Sequence, residues 1–177
     1  AICTALPRIK GHCRILDLGA NVDSSSEQLF QFAVMGSELT SAVDEVESPS
    51  VALLNIGEEE IKGNDQVKQA ASILANSHLN YVGFAEGNDI YTGNIDVIVC
   101  DGFAGNVALK ASEGVAQLFR HHVEAGFRKS LYGRIAGLVA LPVLRSLKHR
   151  IDPRQYNGAS LLGLKGIVIK SHGSADR

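Results

Sequence analysis

Ile15-Leu16-Asp17-Leu18-Gly19-Ala20-Asn21-Val22-Asp23 decides the fold class: an apolar strand runs into a polar turn carrying glycine. Ser24, with Glu27 three residues on, predicts a capping box that opens a helix to about Val46. The same alternation recurs downstream. Val51 to Ile56 reads as a strand closed by Gly57, and Asn64 to Ala75 as a helix with Val67, Ala70, Ala71 and Leu74 on one face. Leu79 to Phe84 and Val97 to Cys100 are further strands, Asn106 to Phe127 a long helix, and Ile167 to Lys170 a late strand. Strands alternating with helices predict an α/β layered fold with a largely parallel sheet, here one domain over residues 1–177.

A parallel sheet places its ligand-binding turns at the carboxyl ends of the strands. Four polar or glycine-bearing segments fall at such ends: 17–23, 55–63, 101–106 and 170–174. Together they predict one shared site. In Asp101-Gly102-Phe103-Ala104-Gly105-Asn106 the glycines let backbone approach a ligand, and a helix start turns its N–H groups toward an anion. Asn106 and Lys110, four apart, share a helix face and suit a phosphate; an ordinary cap with a solvated Lys110 is the bland reading. In the run Glu58-Glu59-Glu60-Ile61-Lys62, Lys62 is the orienting cation, because adjacent carboxylates on one loop define no coordination geometry. No metal and no cofactor are expected. His172, in Ser171-His172-Gly173-Ser174, is a candidate general base or hydrogen-bond donor beside a second nest of amides.

Composition narrows the rest. The 177 residues, 45% hydrophobic, suffice for a buried core. Cys3, Cys13 and Cys100 are an odd set without metal-ligand spacing and read as free thiols of a reducing compartment. With no leader and no apolar run of bilayer length, a cytoplasmic or peripheral protein is expected, and no nucleic-acid partner. The apolar opening Ala1-Ile2-Cys3 and a close resembling an interrupted helix start read as a fragment of a longer chain. Arg128 to Arg154 holds seven Lys/Arg and one acid, a local +6 within a net charge of -2. Such polarity fits an anionic partner. Within it, Leu131, Ile135, Leu138 and Val139 follow helical spacing, Pro142 breaks or restarts the helix, and Leu144, Leu147 and Ile151 resume it. The reading is a protruding, basic, amphipathic helical hairpin at about 128–152, suited to an anionic membrane or a dimer interface.

The blocks Leu16 to Asp23, Leu54 to Gly63, Val99 to Asn106 and Lys170 to Ser174 resemble, in order, the signature blocks of the PlsX-type phosphate acyltransferases of bacterial phospholipid synthesis. Asn157-Gly158-Ala159 and Gly163-Leu164-Lys165-Gly166 support the likeness. The resemblance implies a three-layer α/β/α fold similar to phosphotransacetylase and to the isocitrate and isopropylmalate dehydrogenases. It also implies a homodimer with peripheral membrane association, and an acyl-carrier-protein thioester reacting with inorganic phosphate to give acyl phosphate. The family carries a further N-terminal portion and a C-terminal helix.

Phosphate is itself the nucleophile of that reaction, so no side-chain relay is needed. On this reading Asn106, Lys110 and the amides after Gly105 hold phosphate, with Lys170, His172 and Ser174 facing it from the next turn. Asp101 orients a cation or keeps phosphate in its more nucleophilic ionisation state, and Asn21, Asp23, Asn55 and Lys62 line the remaining cleft. Arg134, Leu138, Leu144, Arg145 and Lys148 form the surface for carrier protein, lipid or dimer. The rivals are a phosphotransacetylase using acyl-coenzyme A, a metal-dependent dehydrogenase, for which no convincing aspartate cluster is present, and a non-catalytic docking module.

Overall fold

The computed structural model describes residues 1–59, 61–151 and 159–170, with backbone alone for 148–151. In chain order the elements are β1 (Ile2–Pro7), β2 (His12–Leu16), α1 (Ser26–Asp44), β3 (Ser50–Leu54), α2 (Asp65–Ala75), β4 (Asn80–Ala85), α3 (Asp89–Thr92), β5 (Val97–Val99), α4 (Gly102–Arg128), α5 (Leu131–Ile151), β6 (Ala159–Leu161) and β7 (Ile169–Lys170). One sheet takes all seven strands in the order β4-β3-β5-β2-β1-β6-β7. The pairs β2–β5, β5–β3 and β3–β4 are parallel. β1 runs antiparallel to both β2 and β6, and β7 antiparallel to β6.

Alternation along the strands builds two cores. Leu16, Val51, Leu53, Val97 and Val99 pack against Leu29, Phe32 and Ala33 of α1 and Ala70 and Leu74 of α2. Their neighbours Ile15, Ala52, Ile98 and Cys100 face the other way, onto Ile90 of α3 and Ala104, Ala108 and Leu109 of α4. The protein is thus a three-layer α/β/α sandwich. Each Val, Leu, Ile or Phe side chain fully buried there contributes about 1.5–3 kcal/mol.

Several local readings shift. The first expected strand is displaced toward the N-terminus, to His12–Leu16, so Asp17 opens the loop. β1 and β6 went unpredicted. β1 ends at Pro7 and is joined to β2 by a turn in which Arg8 N–H donates to Gly11 O at 3.1 Å and Gly11 takes φ 83°. The capping box lies one residue further on, at Ser25 and Gln28, with Ser24 buried ahead of it. The long helix begins at Gly102, with Asp101 as its N-cap. Pro142 lies inside α5 and does not end it. It removes the donor owed to the Leu138 carbonyl, on a turn open to water (Leu138 is 67% exposed). The helical pair is therefore α4 and α5, meeting where Gly133 and Gly137 pack on Phe127, and not two arms hinged at the proline. Among the described residues no helix is long and apolar enough to cross a membrane.

Candidate functional site

Leu16 is in register with Val99, Val99 with Leu53, and Leu54 with Ala85. The loops leaving β2, β5, β3 and β4 consequently share one edge of the sheet. Two of them are fastened together. Asp17 N–H donates to Cys100 O at 2.9 Å, and Gly102 N–H to Asn21 O at 2.8 Å. The β3 loop is tied to the end of β4 by Asn55 N–H on Ala85 O at 2.8 Å.

The β2 loop is organised by Asp17, which is 0% exposed. One carboxylate oxygen accepts from Ile2 N–H at 2.7 Å and Ala20 N–H at 3.1 Å. The other accepts from the Asn21 N–H and Asn21 Nδ2, both at 2.8 Å. Burial pushes the carboxyl pKa up, but the bonds from Ile2, Ala20 and Asn21 outweigh it and hold the group below its ordinary value. Gly19 turns the chain at φ 112°, a conformation that favours glycine. Helix α4 sits directly on this loop because two of its residues lack a side chain. A Cβ at Gly105 would overlap the Asp17 carbonyl oxygen, and one at Gly102 the Asn21 carbonyl. Asn106, exposed, then stands beside Gly19, its Cβ 3.5 Å from where a Gly19 side chain would begin.

This arrangement changes the expected anion nest. Ala104 N–H is capped by Asp101 Oδ1 at 2.7 Å, Gly102 N–H is held by Asn21, and Gly105 N–H closes the first helical turn onto Asp101 O at 3.0 Å. The amides after Gly105 belong to the helix interior, and Gly105 itself is buried, so neither faces a ligand as expected. Asp101 acts on the helix terminus, one oxygen committed to the cap. Lys110 lies one turn beyond Asn106, exposed, with Nζ 2.9 Å from Glu113 Oε2.

Asn55 braces its own loop, its Nδ2 donating to Gly57 O at 3.0 Å and Lys62 O at 3.2 Å. Lys62 is exposed and pairs with Glu59 at 2.8 Å. The hydrogen bond between them raises the Lys62 pKa and lowers that of Glu59. Asp23 is exposed on the β2 loop. Lys170 does not join this edge. It ends β7, a strand antiparallel to β6 and four places from β5. At ~4.8 Å per strand that is about 19 Å across the sheet. The expected contact between Lys170 and the Asn106 turn is therefore not made, because β1 and β6 intervene. His172 and Ser174 lie outside the described residues.

On the second surface Arg134, Leu138 and Arg145 are exposed along α5 and Leu144 is partly covered, while the Lys148 side chain lies outside the described residues. Among the described residues no three His, Cys, Asp or Glu side chains gather as a metal site.

The profile of the family described as "Fatty acid synthesis protein" matches residues 1–177. The chain belongs to this family. It is 64% identical over 177 residues to a protein of Methylococcus capsulatus and 65% over 176 residues to one of Alkalilimnicola ehrlichii, both named phosphate acyltransferase. It spans about half the length of these curated relatives, 52% of each. Among solved structures it is similar to the EutD phosphotransacetylase from Staphylococcus aureus, with TM-score 0.52 and 15% identity over 66% of this chain and 42% of that one. A likeness at that identity establishes the fold alone.

In this member of the fatty acid synthesis family, residue-by-residue reading passed over Asp17 and Gly19 as site-builders, and gave Gly102 close approach to a ligand where it packs on the Asn21 carbonyl. A signal was present. A carboxylate at the end of an apolar strand, followed by a glycine and a run of free amides, is buried only if those amides satisfy it. What no local pattern carries is its fourth donor, Ile2, fifteen residues upstream.

Proposed function

We propose that the protein to which this chain belongs transfers the acyl group of an acyl-carrier-protein thioester to inorganic phosphate, in phospholipid synthesis. The observation that carries the proposal is the 64% identity, over the chain's whole length, to a protein named phosphate acyltransferase. In support of it, loops from β2, β3 and β5 leave one edge of the sheet, with Asn106 and Lys110 four residues apart on α4 beside them.

A phosphate oxygen attacks the thioester carbonyl carbon, the C–S bond breaks, and the carrier thiol leaves, taking up a proton. Barrier lowering comes from holding nucleophile and carbonyl together and from donors aimed at the oxyanion. Asn106 and Lys110 hold phosphate, with Asn21, Asp23, Asn55 and Lys62 lining the cleft. His172 and Ser174 remain candidates for the second wall. The basic, apolar flank of α5 meets acidic carrier protein or anionic lipid at the surface of a homodimer that associates peripherally with the membrane.

The test is made with the full-length enzyme. Acyl-carrier protein and acyl-coenzyme A are offered in turn, with and without phosphate, and acyl phosphate is trapped with hydroxylamine. Phosphate-dependent trapping from the carrier protein is expected. Turnover from coenzyme A alone would assign a phosphotransacetylase, and thioester loss indifferent to phosphate would exclude both.

A further inference from the structure

The Asp17 carboxylate accepts four hydrogen bonds, from the amides of Ile2, Ala20 and Asn21 and from Asn21 Nδ2. Fully buried, the carboxylate has no face open to substrate. Yet it lies one bond from the junction of the two loops. The residue it grips twice, Asn21, offers the carbonyl that receives Gly102, the first residue of α4. The Asp17 carbonyl itself forms the seat for Gly105. Asn106 follows Gly105 directly, and its neighbour across the cleft is Gly19, two residues after Asp17.

We propose that Asp17 is a positioning residue for phosphate: through Asn21 and Gly102 it sets the gap between Gly19 and the Asn106 side chain. This rests on the phosphate-acyltransferase reading above. The carboxylate works by shape as well as charge. Both oxygens must accept, one from two amides and the other from two Asn21 donors, and a carboxamide presents only one acceptor. In Asp17→Asn an NH2 group faces N–H donors on one side or the other, and the Asn21 carbonyl moves with them.

Three measurements on the full-length enzyme decide the matter. Asp17→Asn is expected to raise the KM for inorganic phosphate about tenfold, the loss carried by one hydrogen bond to a charged group, with the KM for acyl-carrier protein little changed. The exchange rate of the Gly102 amide is expected to rise in the same variant. Asn21→Ala removes the Nδ2 donor and leaves the backbone bonds; combined with Asp17→Asn it is expected to add almost nothing, because both act through one contact.

If Asp17→Asn does not fold, Asn21→Ala carries the test by the same selective KM rise and faster Gly102 exchange. Equal losses for both substrates, unchanged Gly102 exchange, or additive effects of the two substitutions would overturn the positioning role. A wild-type enzyme with no phosphate-dependent turnover would instead overturn the functional reading on which the role rests.

Discussion

The Lys110 ammonium lies 2.9 Å from the Glu113 carboxylate one turn along α4, so this cation is already paired. An exposed pair of this kind contributes about 0–1 kcal/mol. Lys110→Ala is therefore expected to leave the melting temperature nearly unchanged while raising the phosphate KM several-fold. Glu113→Gln, which releases the lysine, is expected to lower it. Steady-state kinetics in phosphate, with a melting curve for each variant, check both; phosphate kinetics indifferent to Lys110→Ala would remove the lysine from the site.

The helical glycines of α4 are expected to behave oppositely. At Gly105 an added methyl meets the Asp17 carbonyl, whereas at Gly114 it meets open space. Gly105→Ala should destabilise by about 1–3 kcal/mol as an overpacked contact. Gly114→Ala should stabilise by about 0.5–1 kcal/mol, because glycine loses more freedom on forming a helix. Urea unfolding of the two variants measures the contrast, and equal effects would mean that α4 is not seated on the β2 loop.

Acid should unfold the protein through carboxylates whose hydrogen bonds exist only in the fold. Asp44 accepts from Arg14 Nε at 3.0 Å and Nη2 at 2.9 Å, and meets His12 Nε2 at 3.0 Å. Burial raises its pKa, but the bonds from Arg14 and His12 bring it below the ordinary value; Asp17 is held down likewise. A depressed folded pKa means the stabilisation is complete above the unfolded aspartate value of about 3.9 and is lost as pH falls below it. Stability attributable to these groups is expected to hold steady from pH ~7 to ~5 and to decline below pH ~4. Asp44→Asn should cost about 1–3 kcal/mol at neutral pH and flatten the acid limb, as read by unfolding midpoints across pH.

Charge and apolar substitutions on α5 distinguish the partners proposed for that surface. Arg145→Glu with Lys148→Glu is expected to slow carrier-protein docking, most visibly at low salt, since charge complementarity acts chiefly on association rate. Leu138→Glu, at a site 67% exposed, is expected to reduce lipid co-sedimentation or dimer content without unfolding the core. Kinetics, vesicle binding and sedimentation that all ignored these changes would leave α5 as scaffold.

What could be read from the chain alone was whatever contiguous residues carry. Short apolar, β-branched runs such as Val97 to Val99 and helical spacing such as Val67, Ala70, Ala71 and Leu74 depend on local geometry, so the alternating elements and layered class were legible. The Leu16 to Asp23 and Val99 to Asn106 blocks also marked two loops of the site. Local chemistry could not separate Ser24 from Ser25 as cap, since both precede an acceptable partner, nor could it foresee that α5 would run through Pro142.

Tertiary structure decided the rest, because the deciding contacts join residues far apart in the chain. Asp17 is a buried acceptor only once β1 brings Ile2 to it. Gly102 and Gly105 are required only once α4 comes down on the β2 loop. Lys170 lies away from the Asn106 turn only because β1 and β6 insert between β2 and β7. Hydrogen bonds and close backbone approach depend on distance in space, and that distance is set by the sheet order, which no run of neighbouring residues encodes.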